Sequence, residues 1–361
     1  MPHATEREAG PAVTELAHRV DAFMADADLL TAELWAEVAD GPSGSSALSE
    51  VIDAARAADG GKFLRPRLVA AAYAAYGGRE VPLLRRVAAA QQLLHVGLCI
   101  HDDIIDVDRV RHGRLGVVAR VEGTAREAGV PAEAARRRGD AAGVLAGDLA
   151  ISTTVSALIS APAPTAVRMR LAEAALAVIE QAIAGETLDV FFEQADPAAT
   201  DPLRVAALKT ASYSITLPLV LGAIAAGAGD DVGETIARVG EPLGIAYQLH
   251  DDDQGLFGSS AATGKPAASD LKAGKRTEHV RRAYLAASPE QRAVLDDLLG
   301  RPDLDEAGAD ALRETVVATG ARAEVTALTA ELVTRAIRTA RAEMPAPLAE
   351  YLEELVAGLT S

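Results

Sequence analysis

The sequence contains few cysteines, few aromatic residues and few positive charges relative to negative ones. Cys99 is the only cysteine, which excludes an internal disulfide and a thiolate zinc site and predicts a cytoplasmic protein. Aromatic residues make up only 3% of the chain, whereas the helix formers Ala, Leu, Glu and Arg recur throughout. The 35 Lys and Arg residues against 52 Asp and Glu give a net charge of −17, which excludes nucleic-acid binding through bulk charge. An all-α protein is therefore predicted.

Long hydrophobic runs are also scarce. Residues 215–229 form the one stretch that resembles a membrane span. They fall short of the roughly 18 to 20 residues needed and contain Pro218, so a buried core helix without stable membrane insertion is predicted. Residues 1–10 carry Glu6 and Glu8 and no apolar run, and they do not resemble a signal peptide.

Apolar residues recur at helical spacing in nearly every segment, and no linker marks a domain boundary. Residues 1–361 are therefore predicted to form a single domain. Residues 122–140 contain three consecutive arginines and are predicted to be a charged surface insertion between two core helices. The polar, Gly-rich residues 257–276 are too long for a passive connector and are predicted to form a lid.

Two clusters of aspartates end apolar helical runs: His101-Asp102-Asp103-Ile104-Ile105-Asp106 and His250-Asp251-Asp252-Asp253. On a helix, Asp102 and Asp106 lie about 40° apart around the axis and about 6 Å apart along it, so both carboxylates share one face. Like charges in that register repel each other, and a bound cation would reverse the effect. Oxygen ligands of this kind suit Mg²⁺. Two facing helices of this type would surround one metal-binding cavity, whereas a single cluster is also typical of a solvated helix end.

Basic residues near these clusters point to an anionic ligand. Lys62 and Arg65 follow the flexible pair Gly60-Gly61 at the start of a predicted helix, where backbone N–H groups also favour an anion. Further candidate cations are Arg111, Lys209, Lys265 and Lys275. Together with the aspartate clusters they predict a pocket for metal-bridged diphosphates.

These motifs resemble those of the polyprenyl synthetase family, the trans-isoprenyl diphosphate synthases. The resemblance extends from about residue 60 to residue 277. Its motifs, in family order, are Gly61-Lys62-Phe63-Leu64-Arg65-Pro66, the first aspartate cluster with Arg111-His112-Gly113, Gly147-Asp148, Gly185-Glu186-Thr187-Leu188-Asp189, Lys209-Thr210-Ala211 through Pro218-Leu219, Gln248-Leu249-His250-Asp251-Asp252, and Thr263-Gly264-Lys265-Pro266 with Asp270 and Lys275. The resemblance implies one helical bundle of the isoprenoid synthase type around a central cavity, and a homodimer.

The resemblance also implies roles for individual residues. Asp102 and Asp106, supported by Asp103, would bind two Mg²⁺ ions, and Asp251, supported by Asp252, would bind a third. The allylic diphosphate would contact Arg111, Lys209, Lys265, Thr210 and Gln248, and Lys275 would be a further substrate-binding residue. Isopentenyl diphosphate would contact Lys62, Arg65, His95 and the residue at position 112. The implied reaction joins isopentenyl diphosphate to an allylic diphosphate, and the released pyrophosphate accepts the proton.

Two positions depart from the family pattern. Gly255 stands where the second motif normally has its third aspartate, and Asp253 lies about 200° around the helix from Asp251 and cannot replace it. Weaker metal affinity is therefore expected. His112 replaces an arginine that would contact isopentenyl diphosphate, and a neutral histidine lacks both the charge and the bidentate fork.

Product length depends on the residues beneath the reacting carbon. In the family, a bulky aromatic residue five positions before the first aspartate limits the chain, but Gly97 stands there in this sequence, followed by Leu98. A product longer than farnesyl diphosphate is therefore expected, with geranylgeranyl diphosphate as the first choice.

Three other functions remain as alternatives. A class I terpene cyclase or unusual coupling enzyme would share the fold, but a cyclase has no use for Lys62 and Arg65. A phosphohydrolase with His-Asp pairs would need more histidines near a transition metal. A non-catalytic subunit of a heteromeric synthase would explain the two departures, although it would not need to retain Asp102, Lys209 and Asp251.

Overall fold

The protein is almost entirely helical in the computed structural model, which describes residues 11–41, 44–111, 113–258 and 269–360. The α-helices are, in chain order, α1 (Pro11–Phe23), α2 (Ala32–Ala39), α3 (Ser46–Ala58), α4 (Leu64–Ala75), α5 (Val81–Ile105), α6 (Val117–Glu127), α7 (Ala132–Ile159), α8 (Thr165–Phe192), α9 (Pro202–Val205), α10 (Leu217–Ala225), α11 (Val232–Phe257), α12 (Ser269–Ala273), α13 (Glu278–Ala286), α14 (Pro289–Leu298), α15 (Glu306–Ala318), α16 (Ala321–Glu343) and α17 (Ala346–Val356). A π-helix, Ala206–Thr216, joins α9 to α10. Short 3-10 helices occupy Met24–Leu29, Pro197–Ala199 and Ala357–Thr360. The all-α prediction is confirmed.

The main hydrophobic core contains side chains from both ends of the described chain, from Val13 on α1 to Val356 on α17. Every residue of α10 is buried. This helix lies against α4 so closely that a Cβ atom at Gly222 would stand 2.4 Å from the carbonyl oxygen of Val69. Only glycine permits that approach. Helix α10 therefore lies at the centre of the bundle, beside α4 and α5.

The one extended element of the described residues is a small hairpin after α5. Strands β1 (Val110–Arg111) and β2 (Arg114–Leu115) are antiparallel, with Val110 opposite Leu115 and Arg111 opposite Arg114. The hairpin turns the chain back, so that Arg111 lies beside the aspartates at the end of α5.

The predicted surface insertion at residues 122–140 is wrong. These residues belong to α6 and α7, which pack against each other. Glu122 is buried and pairs with Arg109 at 2.8 Å and with Arg126 at 2.5 Å. Arg126 thus pairs with a buried carboxylate, which composition alone could not show, while Arg136, Arg137 and Arg138 are exposed as the surface prediction expected.

The prediction of a single membrane-like stretch is also wrong. Two helical stretches within the described parts of the chain, Ala132–Ile159 and Pro202–Ala225, pass the length and composition test for a membrane span. In the second stretch, 72% of the most apolar 18 residues are buried, as expected of a core helix. This stretch includes most of residues 215–229. Core helices of soluble proteins pass the same test, so two such helices are weak evidence for a membrane span.

Candidate active site

A cavity of about 1290 Å³ lies between α5, α8, the π-helix and α11. It exceeds the roughly 300 to 1,000 Å³ of a typical small-molecule pocket, so it has room for two substrates. Both aspartate clusters line it, together with Lys62, Arg65 and Lys209. The structure therefore brings the acidic and basic sequence motifs together around one space.

The last turn of α5 carries the first aspartate cluster. Arg111 donates to the carboxylates of Asp102 and Asp103, at 2.6 and 2.7 Å respectively. Burial raises the pKa of Asp102, but Lys209 and Arg111 outweigh this effect and hold it well below its usual value. Burial also raises the pKa of Asp103, to about 6, although Arg111 opposes the shift. Asp106, which ends the helix, accepts a hydrogen bond of 2.8 Å from Lys275.

Lys209 lies at the centre of a cluster of three carboxylates. Its Nζ atom is 3.1 Å from Asp102 and 2.7 Å from both Glu186 and Asp189 on α8. Burial lowers the pKa of Lys209, but the three carboxylates hold it above its usual value, so the side chain stays charged. No role was predicted for Glu186 or Asp189, although their spacing after Gly185 puts both on one helix face.

Glycines fix the π-helix that carries Lys209. A Cβ atom at Gly185 on α8 would stand 2.4 Å from the backbone nitrogen of Lys209. On the other side, a Cβ atom at Gly244 on α11 would stand 2.3 Å from Cα of Ala211. The π-helix is thus held between two helices by close backbone contacts, and π-helical turns frequently occur at functional sites.

The second aspartate cluster lies on α11, on the opposite side of the cavity. Thr210 donates to the side-chain oxygen of Gln248 at 2.6 Å, and Gln248 in turn donates to Asp252 at 2.7 Å. Burial raises the pKa of Asp252 to about 8; the charges of Asp270 and Asp251 act in the same direction, and the hydrogen bond from Gln248 opposes them. Asp251 also lines the cavity.

Asp253 faces away from the cavity, as the helical geometry predicts. Its carboxylate accepts two hydrogen bonds of 2.9 Å from Arg322 on α16. The Arg322 guanidinium also lies 3.8 Å from the ring centre of Phe257, in the last turn of α11. These contacts fix the rotation of α11, which keeps Asp251 and Asp252 directed at the cavity.

The Gly-Gly-Lys segment before α4 forms a second basic region. Gly61 has a φ of 95° and Phe63 a φ of 49°, and this left-handed turn leads into α4. Lys62 lines the cavity and has no ion pair with another described residue. Non-glycine residues with positive φ cluster at functional sites, which fits a turn shaped for a ligand.

Arg65 is fixed by side chains that the sequence analysis missed. It donates to Ser214 at 2.7 Å and to Tyr213 at 3.2 Å, and its guanidinium lies 4.8 Å from the Tyr213 ring centre. His95 lies 3.3 Å from Arg65 and stacks on Tyr213. Tyr213 and Ser214 belong to the π-helix, so no local sequence signal links them to Arg65.

Some predicted site residues are not placed in the cavity. His112, Lys265 and residues 259–268 of the predicted lid lie outside the described residues. Gly97 packs against α7, where a Cβ atom would stand 3.0 Å from both Ala150 and Ile151. The structure thus puts Gly97 at a helix contact rather than on the cavity wall, because α5 and α7 approach each other closely there. Leu98, the next residue, does line the cavity.

The carboxylates fit a magnesium site that substrate completes. Within the described parts of the chain, no three acidic, histidine or cysteine side chains converge into a metal cage. Mg²⁺ is typically held by one or two carboxylates, with water and substrate phosphates as its other ligands. Asp102 and Asp251 line the cavity from α5 and α11, and Asp106 lies beside the cavity-lining Lys275, so the donor set suits this ion.

Comparisons with known proteins match this chain to one family. The model of the polyprenyl synthetase family matches residues 46–316. The chain is 32% identical over 247 residues to a geranylfarnesyl diphosphate synthase from Aeropyrum pernix, covering 66% of this chain and 70% of that protein. It is 28% identical over 247 residues to a geranylgeranyl diphosphate synthase from Sulfolobus acidocaldarius, covering 67% of this chain and 68% of that one. A crystal structure of a geranylgeranyl pyrophosphate synthase from Corynebacterium glutamicum, complexed with isoprenyl diphosphate and magnesium, has a TM-score of 0.80 and 26% identity; the match covers 98% of this chain and 99% of that one.

Proposed function

The chain belongs to the polyprenyl synthetase family, and on that premise we propose that it joins isopentenyl diphosphate to an allylic prenyl diphosphate, giving a longer trans-prenyl diphosphate. The observation that supports this most strongly is that both aspartate clusters line one cavity together with basic side chains. A diphosphate with Mg²⁺ can replace the ion pairs that Asp102 and Asp106 make in the first cluster without leaving an unpaired charge. The family uses Mg²⁺, and Asp102, Asp106 and Asp251 would hold it, as two ions at the first cluster and one at the second.

Binding of the allylic substrate requires an exchange of partners. Arg111 and Lys209 now neutralise Asp102, and Lys275 neutralises Asp106. If Asp102 and Asp106 held the metal, the three cations would each lose one carboxylate partner and could bind the diphosphate in its place, while Lys209 would keep Glu186 and Asp189. Their positive charge then stabilises the negative charge that develops as the allylic C–O bond breaks. Bound Mg²⁺ would add Lewis-acid stabilisation of the same leaving group.

The second substrate would lie beside Lys62, Arg65 and His95. These side chains offer two positive charges and a further hydrogen-bonding group on one side of the cavity. The alkene of isopentenyl diphosphate attacks the allylic carbon and a C–C bond forms. The resulting carbocation then loses a proton to the released pyrophosphate. Apolar walls such as Leu98 and Tyr213 exclude water, which would otherwise capture the cation.

A terpene cyclase is the alternative that shares the most features of this cavity. The fixed Arg65 favours the synthase, because a cyclase has no second diphosphate to bind. Incubation of the protein with geranylgeranyl diphosphate and Mg²⁺ alone distinguishes the two. We expect no hydrocarbon product by gas chromatography, and a cyclic or linear hydrocarbon would contradict the proposal.

We further propose a product of geranylgeranyl length, with Leu98 as a residue that controls it. Leu98 lies one helical turn below Asp102, in the direction in which the chain grows. Replacing Leu98 by Phe fills this space, so we expect the main product to shorten by one isoprene unit in a chromatographic assay. Val81→Phe, at the exposed start of the same helix, is the control and should leave the product unchanged. An unchanged product from Leu98→Phe would show that the chain follows another path.

A homodimer is the assembly that we propose. Met169, Leu176 and Ile183 lie seven residues apart on α8, and their side chains are 47%, 52% and 55% exposed. Leu145 on α7 is also exposed. A stripe of large apolar side chains with helical spacing is typical of an interface.

We also propose that the chain forms one domain, because its main core includes both α1 and α17. The cytoplasmic location stays a prediction.

A substitution in this apolar stripe of α8 tests the proposed dimer interface directly. Leu176→Glu places a charge at its centre, and we expect light scattering coupled to gel filtration to show the mass of a monomer instead of a dimer. Val317→Glu, at an exposed position on α15, is the matched control and should remain dimeric. A dimer that withstands Leu176→Glu would place the interface elsewhere.

A further inference from the structure

The turn before α4 begins with a carboxylate that the proposed reaction does not use. Asp59 directly follows α3, and its amide donates to the carbonyl oxygen of Ala55 at 3.1 Å, which closes the last turn of that helix. Asp59 is extended, and the chain then forms the turn that contains Lys62. Of the described residues in this turn, 60–62 line the main cavity and Asp59 does not. Asp59 therefore lies behind the cavity wall.

The Asp59 carboxylate joins three segments of the chain. Gln92 on α5 donates to its Oδ1 atom at 2.7 Å, and Thr31 donates to its Oδ2 atom at 2.8 Å. Both donors are buried, with 1% and 4% of their surfaces exposed. Burial raises the pKa of this carboxyl, and the hydrogen bonds from Gln92 and Thr31, together with one from the Gly60 amide, oppose the shift. The start of the turn is thus tied to two segments that are 33 and 28 residues away in the sequence.

Thr31 makes this contact in place of a helix cap. It is the residue before α2, where a threonine side chain normally accepts a hydrogen bond from a backbone amide of the helix. Its side chain makes no such hydrogen bond and donates to Asp59 instead. The hydroxyl therefore holds the turn before α4 rather than the start of its own helix.

Gln92 connects the same carboxylate to the proposed site for the second substrate. It lies one helical turn before His95 on α5, and both side chains line the cavity. Lys62 lies three residues after Asp59, across a pair of glycines. Two glycines allow a turn many backbone conformations, so Lys62 keeps one distance from His95 only if a contact restrains the turn. The hydrogen bond between Asp59 and Gln92 provides that restraint.

We infer that Asp59 is a positioning residue for isopentenyl diphosphate, because it holds the turn that carries Lys62 against the helix that carries His95. The inference rests on the proposed function, since it concerns the second substrate of that reaction. None of the hydrogen bonds to Asp59 involves a residue assigned to the allylic diphosphate. Loss of Asp59 should therefore weaken the binding of one substrate and spare the other.

Replacement of Asp59 by Ala removes the acceptor and releases the turn. We expect the KM for isopentenyl diphosphate to rise about tenfold, the scale of losing hydrogen bonds to a charged group. The KM for the allylic diphosphate and the kcat at saturation should stay within about twofold of the wild-type values, as for a loss of binding that is uniform along the reaction. Asp53→Ala, at an exposed position on α3, is the matched control and should have wild-type constants.

Thr31→Val tests the same contact from outside the cavity. It keeps the shape of the side chain and removes one donor, so we expect the KM for isopentenyl diphosphate to rise about threefold. In the double variant Thr31→Val/Asp59→Ala, the KM should equal that of Asp59→Ala alone, because both substitutions act through one carboxylate. An equal rise in the KM values of both substrates would overturn the inference, since it would indicate a general loss of structure.

Isothermal titration calorimetry of isopentenyl diphosphate into the full chain, without allylic substrate, measures the same affinities without turnover. Hydrogen–deuterium exchange should become faster at residues 60–63 in Asp59→Ala and stay unchanged at the end of α11. Wild-type affinity in both Asp59→Ala and Thr31→Val would contradict the inference. Circular dichroism shows whether each variant is folded, and Thr31→Val keeps the test valid if Asp59→Ala is not. A wild-type protein that binds isopentenyl diphosphate but makes no prenyl product would contradict the proposed function and leave this inference intact.

Discussion

Replacement of Asp102 by Asn should reduce kcat by about 10³-fold, the scale of losing a group that stabilises charge in a transition state. Asp102 pairs with both Lys209 and Arg111, so it links the metal site to two cations of the diphosphate site. Asn keeps the shape but removes the charge that would attract Mg²⁺. Steady-state assays over a range of Mg²⁺ concentrations measure the effect, and excess Mg²⁺ should restore part of the activity.

Two observations separate this effect from a general loss of structure. Lys209 keeps Glu186 and Asp189 as partners in the variant, so the melting temperature should stay close to the wild-type value. Asp140→Asn removes a carboxylate from the surface of α7 and should have wild-type kinetics. Activity near the wild-type level in Asp102→Asn would remove Asp102 from the metal site.

Replacement of Gly185 by Ala should lower both stability and activity. The new methyl group would lie 2.4 Å from the backbone nitrogen of Lys209 and 2.8 Å from its Cα. Backbone atoms cannot move aside as a flexible side chain can, so α8 and the π-helix must separate. We expect the free energy of unfolding to fall by about 2 kcal/mol, within the range typical of overpacked cores. The same movement shifts Lys209, so kcat should fall as well.

Gly123 on α6 provides the matched control. A Cβ atom at this position meets no other atom within 4 Å. Gly123→Ala should therefore raise the free energy of unfolding by up to about 1 kcal/mol through helix propensity, with unchanged kinetics. Guanidinium titrations followed by circular dichroism measure both variants. A Gly185→Ala variant as stable as the wild type would show that the contact between α8 and the π-helix is loosely packed.

The sequence predicted the helical class and many of the charged residues that line the cavity because their signals are local. Asp102 and Asp106 are one helical turn apart, and Lys62 and Arg65 follow a glycine pair, so spacing alone indicated a shared face and an anion site. The prediction for residues 122–140 was wrong because a charged composition is common both to solvated insertions and to helices that pair buried carboxylates.

The parts that the sequence did not predict depend on contacts between distant segments. Tyr213 fixes Arg65 across 148 residues of chain, and no periodicity records such a contact. Asp270 reaches Gly255 only after α12 folds back on α11. Gly97 was interpreted from its distance to Asp102, whereas the close approach of α7 determines its surroundings.

Incubation of the purified protein with Mg²⁺, labelled isopentenyl diphosphate and one allylic primer at a time tests the central claim most directly. The primers are dimethylallyl, geranyl, farnesyl and geranylgeranyl diphosphate, and products are separated by chain length. We expect label in prenyl diphosphates that end at geranylgeranyl diphosphate, and none when a chelator removes Mg²⁺. Absence of incorporation with every primer would contradict the assignment as a synthase.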